Sequence, residues 1–508
     1  MRRPWLLALV LVGCVSDPQD PKTWIKKLDD PREGKDAIRE LVRISDPAAV
    51  EPLIALYRKN KDPELLKAIA HFKDKRAIQL MTEALDYSEE SCDNAATAAN
   101  ALGNTPDPSA IDPMVKALVK SLPIKTRCNI VKLEVMKALQ KFPRDPRITD
   151  AFVKVLLTSA DEQDFFINSN AAKALSSFGD QRAAPALVRG LFMTGRGTDI
   201  FQPCRVALLA IGQPAIAPLV QTLKRENQDV EADAKKFEFP PGLIEQKASI
   251  ILGELRNKSA VAPLLEALTK KDEGLAAGAG KGVSSHQSEI VALGQIGDPE
   301  TEKTLIGILS DPKRNSKERA AAAEALNMLG LQSSLPALWK AAQTKFISGT
   351  TIDPEAGAVA AAAVTGYSRL AEAEGANVTM PKVPEEIADM NEVMENAKKR
   401  LELAKQCKKD QACYTAALSD KDGIKAEKAA LMLARMGQPG LIELSKHLNT
   451  NDQDLRRIVL LGIAQYANKS SKECIAALDK QIEIDHTKPP LRGLVEEMRA
   501  VQAEISNR

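Results

Sequence analysis

The chain has 508 residues, of which 44% are hydrophobic, 27% charged and only 4% aromatic. Lys and Arg number 70 against 68 Asp and Glu, a balance that argues against a nucleic-acid binder, which needs a basic surface. So few aromatics disfavour a β-rich core and favour helices packed through small side chains.

Arg2 and Arg3 precede an apolar run from Trp5 to Val12 that ends at Gly13 and Cys14. The run is too short to span a bilayer as a helix and reads as a secretory signal. The ending Leu11-Val12-Gly13-Cys14 resembles the lipobox of bacterial lipoproteins, whose cysteine is acylated and becomes the first residue of the mature chain. The resemblance implies a removed signal peptide at 1–13, lipidation at Cys14 and a short tether over 14–23. Val15 and Ser16 put no acid directly after Cys14; by resemblance to Gram-negative lipoprotein sorting this implies the outer membrane. Several acyl chains give stable anchoring. No later run of about twenty apolar residues follows, so the expected address is the bacterial cell envelope, with attachment through lipid alone.

From Trp24 onward one pattern returns: an Ala/Leu-rich helix, a short turn with Gly, Asp or Pro, and a second helix opening with Pro-Leu or a variant. Ala95–Gly103 followed by Ala110–Leu118, and Arg205–Gly212 followed by Ala215–Leu223, are clear copies. Asp74, Asp107, Asp145 and Asp180 stand 33, 38 and 35 residues apart, the period of a helical hairpin. Apolar residues at i, i+3, i+4 and i+7 give each helix one buried stripe, which no hairpin can bury alone, so stacking is required. Gly103, Gly179, Gly212, Gly297 and Gly437 are expected at helix ends with positive φ. These residues resemble HEAT repeats, and the Ala-x-x-Ala-Leu-Gly…Asp-Pro form resembles the HEAT-like units of the phycobilisome-lyase type. The resemblance implies an all-α fold, an α-solenoid of stacked HEAT-like hairpins. The expected organisation is a solenoid with inserted loops over 24–380, a helical hairpin over 381–420, and C-terminal repeats with a cap over 421–508.

Long links fall between the second helix of one unit and the first of the next, at 161–168, 195–203, 225–242, 272–286 and 346–355. They carry Phe165, Phe166, Phe201, Phe237, Phe239 and Phe346 in or beside them. Insertions in stacked repeats often mark a binding face. Phe201, Phe237 and Phe239 are the expected partner-binding residues; alternatively these loops cover the solenoid's own apolar edge.

Six cysteines follow Cys14 in a chain expected in an oxidising compartment. Cys407 and Cys413 are disulfide candidates if a turn separates them, because positions six apart on one helix point away from each other. Cys92 and Cys128, which begin the first helices of neighbouring units, are a second candidate pair. Cys204 and Cys474 read as small buried side chains.

Catalytic, cofactor and metal motifs are absent from the sequence. There is no HExxH, Gly-x-Ser-x-Gly or dinucleotide fingerprint. The histidines His71, His286, His447 and His486 are far apart and are followed by Phe, Gln, Leu and Thr, which departs from the His-Glu pairs of deoxyhypusine hydroxylases. No enzyme, cofactor or metal is therefore expected. The expected role is a lipid-anchored scaffold that binds a protein or peptide. An envelope enzyme with an unrecognised carboxylate site and a purely structural solenoid are the alternatives.

Overall fold

The computed structural model describes residues 17–277, 282–372 and 388–506; Cys14 and the signal segment lie outside them. The chain forms two compact units, the first ending at Phe178 and the second starting at Gly179. Within the second unit Pro354–Leu370 packs on Ala388–Cys407, and that helix packs on Gly423–Arg435. Both units are the expected all-α stacks of hairpins, and the second adds two short antiparallel ribbons. Among the described residues no helix is long and apolar enough to cross a membrane.

The repeated aspartates start the second helices. Asp46, Asp74, Asp107, Asp180 and Asp298 each precede a three-residue 3-10 turn, and each side chain accepts a hydrogen bond from the backbone N–H two residues on. Asn257 does the same before Lys258–Ala260, while Asp145 caps Pro146–Leu156 directly. Each cap occupies an amide that has no helical acceptor and aims the chain into the next helix.

Gly179, Gly212, Gly297 and Gly437 have the expected positive φ, between 66° and 75°. Gly103 does not. It lies inside the helix Cys92–Asn104, where an added Cβ would stand 2.7 Å from both Cα and Cβ of Ala138 on Asn129–Leu139. Its function is close approach, because only a hydrogen fits between the two backbones. The second unit repeats the device: a Cβ on Gly253 would be 2.7 Å from Ala292 Cα, and one on Gly294 would be 2.5 Å from Ala325 Cα. These contacts set Leu243–Leu255, Ser285–Ile296 and Ser316–Leu329 side by side.

The C-terminal repeats belong to the second unit. The last helix, Arg492–Ser506, packs against Phe201–Ile211 near the start of that unit. Arg256 Nε lies 2.6 Å from Glu504 Oε1, and Arg256 Nη1 donates to Gln465 O at 2.9 Å. Gln465 Nε2 in turn donates to Asn327 O at 3.3 Å.

Candidate functional site

Three of the expected loops in the second unit converge, and they contain more structure than loops. After Phe192 the chain makes a ribbon, with Thr194–Gly195 paired to Thr198–Asp199 through Arg196 and Gly197, both at positive φ as a tight hairpin turn requires. Asp199 Oδ1 then accepts from Phe201 N at 3.1 Å and starts the helix Phe201–Ile211. The 225–242 insert holds a helix of its own, Gln228–Lys236, capped by Asn227 and seated on buried Val230. A two-bonded Arg189–Asp233 pair, at 2.5 and 2.9 Å, ties it to the preceding hairpin, and Arg225 ties its base to Glu245 at 3.1 Å.

This framework builds a ladder of rings. Phe192 is buried and stacks on Phe239 at 5.8 Å; Phe239 stacks on Phe237 at 6.4 Å. Phe237 ends the ladder at 59% exposure. Lys247 Nζ sits 5.5 Å from the Phe192 ring and 5.2 Å from the Phe201 ring while donating to Leu191 O at 2.7 Å. Burial lowers the Lys247 pKa, so its charge is poorly hydrated and available to the rings. Thus Phe201, Phe237 and Phe239 come together as one patch, with Lys247 and Phe192 as members that the sequence did not single out. The other loop aromatics divide: Phe165 and Phe346 are core residues, whereas Phe166 in the first unit is 60% exposed.

A second cluster lies at the adjoining link. Val283 N donates to Pro241 O at 2.9 Å, and Val283 O fills the space where a Cβ on Gly242 or Gly274 would stand. This glycine-lined crossing brings the start of Ser285–Ile296 against Asp272. Ser284 Oγ donates to Asp272 Oδ2 at 2.7 Å, and His286 N reaches the same oxygen at 3.3 Å. His286 Nδ1 faces Glu318 Oε1 at 3.4 Å, and Arg314 Nη1 holds Glu318 Oε2 at 2.9 Å. Asp272, His286 and Glu318 are buried and offer ligand atoms within 4.8 Å of one another. Burial pushes Glu289, one turn after His286, up to about 7. Burial alone would lower His286, but the Glu318 hydrogen bond and neighbouring negative charges outweigh it and raise the imidazole. Sequence spacing hid this group because its members are 14 and 32 residues apart; the one local signal was His286 and Glu289 on one helical face.

Of the cysteine pairs, Cys407 and Cys413 form a disulfide with Cα atoms 5.3 Å apart. The bond crosses the turn between Ala388–Cys407 and Gln411–Ala417, made by Lys408 at φ 50° and the Asp410 cap. Cys92 and Cys128 are both free and buried. Glu89 O lies 3.3 Å from Cys92 Sγ and 3.8 Å from Cys128 Sγ, and the expected pair is unbonded in this structure. Cys204 and Cys474 are buried free thiols.

The chain contains stretches that match HEAT-repeat families. The family described as HEAT repeats matches residues 287–347, and the PBS lyase HEAT-like repeat matches 95–120 and 168–192. No curated protein matches the chain. Among solved structures it is similar to Kap121p bound to Pho4p, at 12% identity over 96% of this chain and 51% of that one, with a TM-score of 0.41. It is also similar to human deoxyhypusine hydroxylase in complex with glycerol, at 17% identity over 61% of this chain and 96% of that one, with a TM-score of 0.21. An engineered protein matches at 16% identity over 88% of this chain and 98% of that one, with a TM-score of 0.26.

Proposed function

We propose that this HEAT-repeat chain is a scaffold of the bacterial cell envelope, anchored through acylated Cys14, that binds a protein or peptide through the aromatic patch of its second unit. The observation that supports the binding role is Phe237. Phe237 is exposed at 59% and stacks on Phe239, on an insert held by two arginine–carboxylate attachments, so an apolar ring is presented to solvent from a fixed position. Its stacking partner Phe239 and the rings beneath give a partner side chain a rigid surface, and a few aromatic anchors dominate most binding energies. Lys236, 4.9 Å from the Phe237 ring, and Lys247 favour a partner segment that pairs an apolar or aromatic side chain with an acid.

The test compares the full chain with its Phe237→Ser and Phe201/Phe237/Phe239→Ser variants in capture from detergent-solubilised envelope, alongside thermal unfolding. Loss of the captured partner by Phe237→Ser at unchanged melting temperature is the expected result. Unchanged capture with a destabilised triple variant would assign these rings to sealing the solenoid's own edge and favour the purely structural role. For the anchor, intact mass should show an acylated chain beginning at Cys14, and Cys14→Ala should lose the acyl mass; an unmodified cysteine refutes it.

A further inference from the structure

We propose that Asp272, His286 and Glu318 form a binding site for one divalent cation of the borderline transition series, with Glu289 supplying a further carboxylate. The proposal is independent of the partner-binding reading. It starts from geometry: three ligand atoms from separate segments lie within 4.8 Å of one another in a buried place. Atoms bound to one ion at about 2.1 Å stand at most ~4.2 Å apart, so a modest side-chain adjustment closes the set.

Helix starts account for part of this cluster but not for all of it. Glu318 is the third residue of Ser316–Leu329, where a carboxylate is favoured by the helix dipole and by Arg314. The dipole gives no reason to bury an imidazole among these acids. Nor does it account for Glu289, which is 1% exposed and has an oxygen, Oε2, without a hydrogen-bond partner. A buried, unpartnered carboxylate oxygen is costly unless a cation meets it. His286 and Glu289 are three residues apart on Ser285–Ile296, so Glu289 stands on the face that carries the imidazole, and its charge acts on His286.

The surrounding contacts suit a ligand set. Arg314 occupies Glu318 Oε2 and leaves Oε1 facing His286 Nδ1; Ser284 fixes Asp272 Oδ2. Such outer contacts orient metal ligands in known sites. One imidazole with carboxylates selects Zn²⁺, Mn²⁺ or Fe²⁺ over Ca²⁺ and Mg²⁺, which prefer all-oxygen shells. The Gly242/Gly274/Val283 crossing supplies the rigidity, since it fixes His286 against Asp272 through backbone contact.

The experiment uses the full chain, stripped with chelator and titrated separately with Zn²⁺ and Mn²⁺ by calorimetry, and with Co²⁺ by visible absorption. About one equivalent should bind, with Co²⁺ developing the absorption of a nitrogen- and oxygen-ligated ion. His286→Gln should weaken binding by at least about tenfold and remove the Co²⁺ band. Glu289→Gln preserves shape, should melt no lower than the wild type without metal, and should weaken binding severalfold; it carries the test if His286→Gln does not fold. Absence of stoichiometric binding by the wild type overturns the proposal. Equal affinity in wild type and both variants also overturns it, because the ion is then held elsewhere.

Discussion

Arg256 and Glu504 are 248 residues apart in sequence and 2.6 Å apart in the second unit. Their side chains are only 15% and 11% exposed, so neither charge can be left alone without a large desolvation penalty. Glu504→Leu should therefore destabilise the full chain by about 3 kcal/mol, whereas Glu504→Leu with Arg256→Met should recover most of that loss. Urea unfolding checks the cycle, and equal losses in the single and double variants would show that the charges do not act as a pair.

Acid should act through Asp485. Its side chain is fully buried, and burial pushes its pKa up. Hydrogen bonds from Gln481, Lys488 and Arg456 outweigh that effect and hold it below the ordinary value of 3.8. A carboxyl whose folded pKa is depressed contributes stability that is fully present above its unfolded pKa and is lost as pH falls through the folded one. The wild type should thus lose melting temperature below about pH 4, and Asp485→Asn should be less stable at neutral pH with a shallower acid limb. Parallel acid limbs in the two proteins would contradict this role.

Small residues at the helix crossings should be intolerant. Gly103→Ala or Gly294→Ala places a methyl against the backbone of Ala138 or Ala325 and should cost about 1–3 kcal/mol by overpacking. Gly307, exposed within Glu302–Ser310 with nothing near an added Cβ, is the control. Gly307→Ala should stabilise by about 0.5–1 kcal/mol through helix propensity. Denaturant midpoints for the three variants separate crowding from propensity.

The Cys407–Cys413 bond closes a short loop, with a sequence separation of 6, so in the chain-entropy account its loss should cost about 2 kcal/mol, less than a long loop would. Peptide mapping without reductant should recover the linked pair. The Cys407→Ala/Cys413→Ala variant should unfold at lower denaturant, while Cys92 and Cys128 should react as free thiols only on unfolding.

Much of the fold was legible because its signals are local. An aspartate that caps a turn and the apolar stripe that follows are read within one hairpin. Gly103 was misread for the opposite reason: an Ala-Leu-Gly ending looks the same whether the glycine ends the helix or meets a neighbour, and only Ala138, on the next helix, decides. The inserts show the same limit. Phe165 and Phe346 are as loop-like in sequence as Phe237, yet the first two are buried and the third is exposed, because burial depends on what packs over each ring. The Asp272, His286 and Glu318 group was invisible since three separate segments assemble it.

The two devices that build the hairpins have different consequences for how such a chain grows by duplication. An Asp cap and its 3-10 turn carry their instruction with them, so a copied hairpin begins its second helix correctly wherever it is pasted. A glycine that meets an alanine across a crossing is half of an instruction, with the other half in the neighbouring copy. Duplication can therefore add hairpins freely in sequence, but each new junction must acquire a matched small residue before the copy can pack. Matched small pairs such as Gly253/Ala292 and Gly294/Ala325 are what each such junction requires, while an Asp cap such as Asp74 or Asp298 needs nothing from its neighbour.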